Sequence, residues 1–124
     1  MLLALVLAGH LVGDWIIPTD HQATTKMLPG KRGWAADLSH VTTYTLALGL
    51  FCAWGMGGSS SWRFWLLLAV SAVTHAFLDR RWPVRWLMCH TGRSNFADTQ
   101  WGVIATDQAI HLTILCVLVA TLGH

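Results

Sequence analysis

Seven ionisable residues interrupt stretches that otherwise read as membrane-spanning: His10, Asp14, His40, His75, Asp79, Asp107 and His111. Six of them form pairs four residues apart, His10/Asp14, His75/Asp79 and Asp107/His111. On a helix that spacing sets both members on one face, one turn apart. A charged group in hydrocarbon is costly, so such residues are expected to face one another inside a bundle and to mark a site. His and Asp are together ligands for a borderline divalent metal.

Composition agrees with a membrane setting. The chain is 54% hydrophobic and only 11% charged, where a soluble domain carries about 25% charged residues. Its 124 residues suffice for one domain, 1–124. A net charge of +2 gives no reason to expect a nucleic-acid partner. The three cysteines lack metal-site spacing, and Cys52 and Cys116 in apolar runs are expected to pack rather than to form a disulfide. Cys89 beside His90 is a weaker metal candidate. The start, MLLALVLAGHLVGDWII, lacks the basic region and cleavage site of a signal peptide and is expected to be a retained helix.

Four apolar segments, 2–17, 38–56, 62–78 and 102–122, approach the roughly 20 residues that cross a bilayer. Gly57-Gly58-Ser59-Ser60-Ser61 makes a tight turn, and Pro18–Asp37 and Arg80–Trp101 make long polar connections. Those two connections hold seven of the eight basic residues: Lys26, Lys31, Arg32, Arg80, Arg81, Arg85 and Arg93. The excess predicts that this side is cytoplasmic and that both termini lie outside. Trp34, Trp62, Trp65, Trp82, Trp86 and Trp101 fall near span ends, as interfacial anchors do. The expected fold is all-α: a four-helix, multi-pass bundle in a bacterial inner membrane.

In that topology the seven polar residues share one depth, in the cytoplasmic half. Three buried aspartates without partners would be strongly unfavourable, and one or two divalent cations relieve that cost. The expected ions are transition metals: Zn first, then Mn or Fe, with all seven residues as ligands. Asp14, Asp79 and Asp107 are also the candidate general bases toward a metal-bound water, the nucleophile of metal-assisted hydrolysis. Gly9 and Gly13 form a small-xxx-small pair that admits a close neighbouring helix. Tyr44, one turn after His40, and Gln108, beside Asp107, are candidates to orient ligands. Asp20 is expected either to cap a short helix or to join the site. Arg80, Arg81 and Arg85 are candidates for a phosphate or lipid headgroup beside their topological role. Asp37, Asp98 and His90 read as loop residues, and His124 is assigned no role.

Four stretches carry a family resemblance: HLVGDWIIPTD (His10–Asp20), HVTTY (His40–Tyr44), THAFLD (Thr74–Asp79) and DQAIHL (Asp107–Leu112). In these the chain resembles the small bacterial and phage membrane proteins of domain-of-unknown-function family 3307. The resemblance implies a compact helical membrane protein with a His/Asp cluster and supplies no reaction. More distantly, the pattern is similar to membrane-bound metal-dependent hydrolases and to zinc-dependent phospholipase C. The leading expectation is thus a metal-dependent hydrolase acting on a phosphoester or lipid-like substrate at the cytoplasmic interface. Two alternatives use the same residues: a proton or metal-ion transport module, and a non-enzymatic interaction protein with a structural His/Asp network. A homo-oligomer is compatible with the small size.

Overall fold

The computed structural model describes residues 1–123; His124 lies outside them. Every regular element among the described residues is helical: α1 (Leu2–Leu11), a π turn (Val12–Ile16), α2 (Asp20–Thr25), α3 (Gly30–Met56), α4 (Trp62–Leu78), α5 (Trp82–His90), α6 (Ser94–Ala97) and α7 (Gln100–Leu122). The four apolar segments of the sequence correspond to α1 with its π turn, the later part of α3, α4 and α7. Helix α3 packs against α1, α2 and α4, and α7 packs against α1 and α4.

Among the described residues, only α7 is long and apolar enough to cross a membrane by length and composition, with a mean hydropathy of 1.9. The apolar helices Leu2–Ile16 and Trp62–Leu78 are shorter. They give about 22 and about 26 Å of helix, against a hydrocarbon core about 30 Å thick.

Local signals set the boundaries. Thr19 and Gln22 form a capping box at the start of α2. Ser61 accepts from the Arg63 amide at the start of α4, and Thr99 accepts from the Gly102 amide at the start of α7. Gly57 ends α3 in the left-handed region (φ 74°), and the Gly58 amide returns to the Ala53 carbonyl at 2.8 Å.

The long connections differ from the sequence reading, because both contain helices. In the first, α2 docks on α3 through a bond from the Gln22 amide to Ser39 Oγ at 3.0 Å. In the second, α5 and α6 bury Val84, Met88 and Ala97 against Leu78 and Val103. Asp37 is therefore no loop residue: α3 begins at Gly30 and carries it, fully buried. His90 likewise closes α5, stacked on Trp86 and bonded through Nδ1 to the Trp86 carbonyl, and the ligand groups of the described residues do not include Cys89 or His90. Cys52 is buried, whereas Cys116 is exposed rather than packed.

Gly9 and Gly13 explain how close α1 lies to α3. A Cβ on Gly9 would sit 3.0 Å from Phe51 Cβ, and one on Gly13 would sit 3.0 Å from Tyr44 Cδ2 and 3.1 Å from Tyr44 Cα. The apolar core falls into two parts. One gathers Val6, Leu48, Cys52, Phe64, Leu67 and Leu115, and the other lies under α5 and α6. Along α4 and α7 the positions between them are polar: Ser71 and His75, and Asp107 and His111.

A candidate metal centre

Four side chains from three elements converge there. Asp14 comes from the π turn, His40 from α3, and His75 and Asp79 from the end of α4. His40 Nε2 lies 3.1 Å from Asp14 Oδ1 and 3.1 Å from Asp79 Oδ2. His75 Nε2 lies 3.4 Å from Asp14 Oδ1 and 3.3 Å from Asp79 Oδ2. The two Nε2 atoms are 3.1 Å apart. These are five of the six separations among the four donor atoms, and one ligand atom from each of the four residues lies within 4.8 Å of the others. A tetrahedral ion with ligands at about 2.0–2.1 Å has edges of about 3.3–3.4 Å. A proton on one imidazole can serve one acceptor at a time, whereas a cation at the centre serves all four donors.

A second group adjoins the first. Asp79, Asp107 and His111 bring ligand atoms within 4.8 Å of one another, so Asp79 belongs to both groups. His111 Nδ1 donates to the Asp107 carbonyl at 3.0 Å. Its Nε2 is buried and has no hydrogen-bond partner among the described residues, which leaves it available as a ligand atom. A ligating histidine is commonly fixed this way, by a backbone acceptor on its other nitrogen. The Nδ1 atoms of His40 and His75 are buried with no hydrogen-bond partner among the described residues.

His10 is placed differently from the other six. It lies outside both ligand groups, and both its ring nitrogens are engaged. Nδ1 is 3.3 Å from the Tyr44 hydroxyl, and Nε2 is 3.0 Å from Gln108 Oε1. Gln108 in turn donates to Asp14 Oδ2 at 2.7 Å and accepts from Trp15 Nε1 at 3.1 Å. Since Gln108 Oε1 can only accept, His10 carries its proton on Nε2 and accepts from Tyr44 at Nδ1. The Tyr44 hydroxyl also meets Ser71 Oγ at 3.1 Å, and its ring stacks on His75 with centroids 3.7 Å apart. A continuous chain from Ser71 through Tyr44, His10 and Gln108 thus orients the Asp14 carboxylate. Asp20 takes no part in it: its side chain is exposed in the first turn of α2, where Thr19 is the cap.

Two participants carried no sequence signal. Lys26 Nζ lies 2.8 Å from Asp79 Oδ2 and 3.7 Å from Asp14 Oδ1. Its place depends on Arg80, whose guanidinium donates to the Lys26 and Leu28 carbonyls and stacks over Trp34. Gly33 lets that turn approach, since a Cβ there would collide with the Leu28 carbonyl oxygen. From sequence, Lys26 was only one of seven cytoplasmic-side cations. The other is Asp37, one turn before His40, whose two carboxylate oxygens have no hydrogen-bond partner among the described residues. Burial, reinforced by the nearby Asp79 charge, pushes its carboxyl up to about 6.

Compared with family models, curated proteins and solved structures, the chain matches none of them.

Proposed function

We propose that this chain is a multi-pass membrane protein that binds a divalent transition metal and hydrolyses a phosphoester or lipid-like substrate at the cytoplasmic interface. The observation that carries the metal reading is the convergence of Asp14, His40, His75 and Asp79, whose donor atoms make five separations of 3.1–3.4 Å, near the edges of a tetrahedral site. The N₂O₂ donor set suits Zn, and Mn or Fe less well. Asp79, Asp107 and His111 are the residues that would hold a second ion. Once bound, such an ion supplies Lewis-acid activation of water and of a phosphoryl oxygen. With a single ion in the four-ligand set, Asp107 stays outside it and is the carboxylate that would accept a proton.

The membrane reading has its own support. Leu46, Leu50 and Trp54 on α3, Val73 on α4 and Val117 on α7 are all more than half exposed. Apolar exposure on several helices exceeds what a soluble monomer tolerates. Spans at 2–17, 38–56, 62–78 and 102–122, with the basic connections inside, accommodate these faces. The resemblance to family 3307 belongs to the same proposal. A hydrolase is favoured over a conduit because the polar chain stops at Ser71, beyond which Leu48, Cys52, Phe64 and Leu67 fill the interior.

Elemental analysis of the detergent-purified protein tests the reading. One or two equivalents of a transition metal are expected, together with the intense visible bands of tetrahedral cobalt after exchange. Folded protein that holds no metal and takes up neither Zn nor Mn overturns it.

A further inference from the structure

The three arginines around the end of α4 have separate fates. Arg80 is buried and fastens the Lys26–Leu28 turn. Arg85 is exposed, 3.4 Å from Asp98. Arg81 is half-buried; its backbone bonds to Leu78 and Arg85, and its guanidinium has no hydrogen-bond, ion-pair or ring partner among the described residues. Its backbone is left-handed (φ 60°), alone in this among the described non-glycine residues. That reversal breaks the helical path between α4 and α5, so two consecutive arginines meet different surroundings.

Arg81 lines a cleft of about 200 Å³ with Lys26, Asp14, Asp79, Asp107 and Gln108. Three carboxylates against two cationic side chains leave one excess negative charge in that cleft. One divalent ion reverses the sign, and a second makes the cleft strongly positive. A metal-loaded cleft of this kind attracts an anion. A guanidinium without a protein partner offers the planar donor fork that matches phosphoryl oxygens, and Lys26 adds a point charge.

We propose that Lys26 and Arg81 bind the phosphoryl group of the substrate above the metal cluster. The proposal rests on the metal reading given above and assigns its substrate class: a phosphomonoester or phosphodiester, soluble or at a lipid headgroup.

The test uses the full chain in detergent, loaded with Mn, with inorganic phosphate as the probe. Paramagnetic broadening of the phosphate ³¹P resonance reports binding next to the metal. Wild type should broaden the signal saturably. Arg81→Asn, which retains a residue tolerant of the left-handed backbone, should weaken phosphate binding at least about tenfold with Mn content unchanged. Lys26→Gln should also weaken it without loss of Mn. A sharp resonance with Mn-loaded wild type, or wild-type phosphate affinity in Arg81→Asn, overturns this proposal and leaves the metal centre standing. Failure of wild type to take up Mn or Zn overturns the metal reading and this inference with it. Nanodiscs of phosphatidylcholine with and without phosphatidate separate the sources. Displacement of phosphate by phosphatidate assigns the site to a headgroup, and undisturbed phosphate binding assigns it to a soluble ester.

Discussion

The His-x-x-x-Asp spacing occurs twice in this chain, and the two copies do different things. At the end of α4 the helix stays regular, with the Asp79 amide bonded to the His75 carbonyl at 3.0 Å. Both side chains then reach the same point, and both belong to the four-donor set. In the first helix the backbone changes between the two residues. The Ile17 amide reaches back five residues to the Val12 carbonyl at 3.0 Å, which widens the turn that carries Asp14. His10 is left among Tyr44 and Gln108, while Asp14 joins His40 and His75. Equal spacing therefore fixes a shared helix face but not a shared role. A π turn of this kind frequently marks a functional position.

The comparison breaks most visibly at the two histidines. His75→Ala removes a ligand and should reduce bound metal below detection by elemental analysis. His10→Ala removes only an orienting contact, and it should keep the metal stoichiometry while weakening affinity about 10–100-fold. Equal loss of metal in both variants would show that the two copies are equivalent after all. Should His75→Ala misfold, Asp79→Asn replaces a carboxylate with a neutral amide of similar shape and should give the same loss.

Helix faces were legible because polar groups inside apolar runs have few places to go. The i,i+4 pairs, together with His40, pointed to the six residues of the two ligand groups but also to His10, which lies outside them; Gly9 and Gly13 marked a close helix approach without naming α3 as the neighbour. The irregular features were not legible. A π turn needs one extra residue in a turn, and Val12–Ile16 carries no composition that announces it. Lys26 reaches the cluster from a turn held by Arg80 and Gly33, contacts separated by long stretches of chain. Asp37 looked like a loop residue because Lys31, Arg32 and Asp37 hide the apolar stripe of early α3. The helices of the two connections were hidden for a different reason: α2, α5 and α6 run only six, nine and four residues, too short to show a repeating apolar stripe.

Gly13→Ala sharpens the role of the first copy more gently. The new methyl would crowd Tyr44 at 3.0–3.1 Å, on its ring and its backbone, so α1 and α3 must move apart. Overpacking of this kind costs typically about 1–3 kcal/mol. The thermal midpoint should fall, and metal affinity should fall with it, because Asp14 is the next residue. Ala at Gly49, where the nearest contact is a flexible Leu68 methyl at 3.3 Å, should change both far less. A harmless Gly13→Ala would detach the π turn from the placement of Asp14.

The smallest effect concerns a third juxtaposition of acid and histidine, Asp37 and His40, three residues apart on α3. Here the spacing yields no hydrogen-bonded pair: the buried Asp37 carboxylate oxygens have no hydrogen-bond partner among the described residues. Asp37 lies just before the proposed second span, and burial raises its carboxyl from 3.8 to about 6. A raised acid holds its proton more tightly folded than unfolded. Its contribution is therefore most favourable below pH about 4 and is lost as pH rises through about 6. Asp37→Asn removes that titration while retaining the shape. In metal-free protein, its thermal midpoint should match wild type near pH 4 and exceed it at pH 7, the gap opening between. A gap of constant size would mean that folding leaves the Asp37 carboxyl unshifted, and one of the opposite sign at pH 7 would mean that the carboxylate has a stabilising cationic partner in the folded protein. Asp37 would then join Asp14 as an acid placed by contacts rather than by spacing.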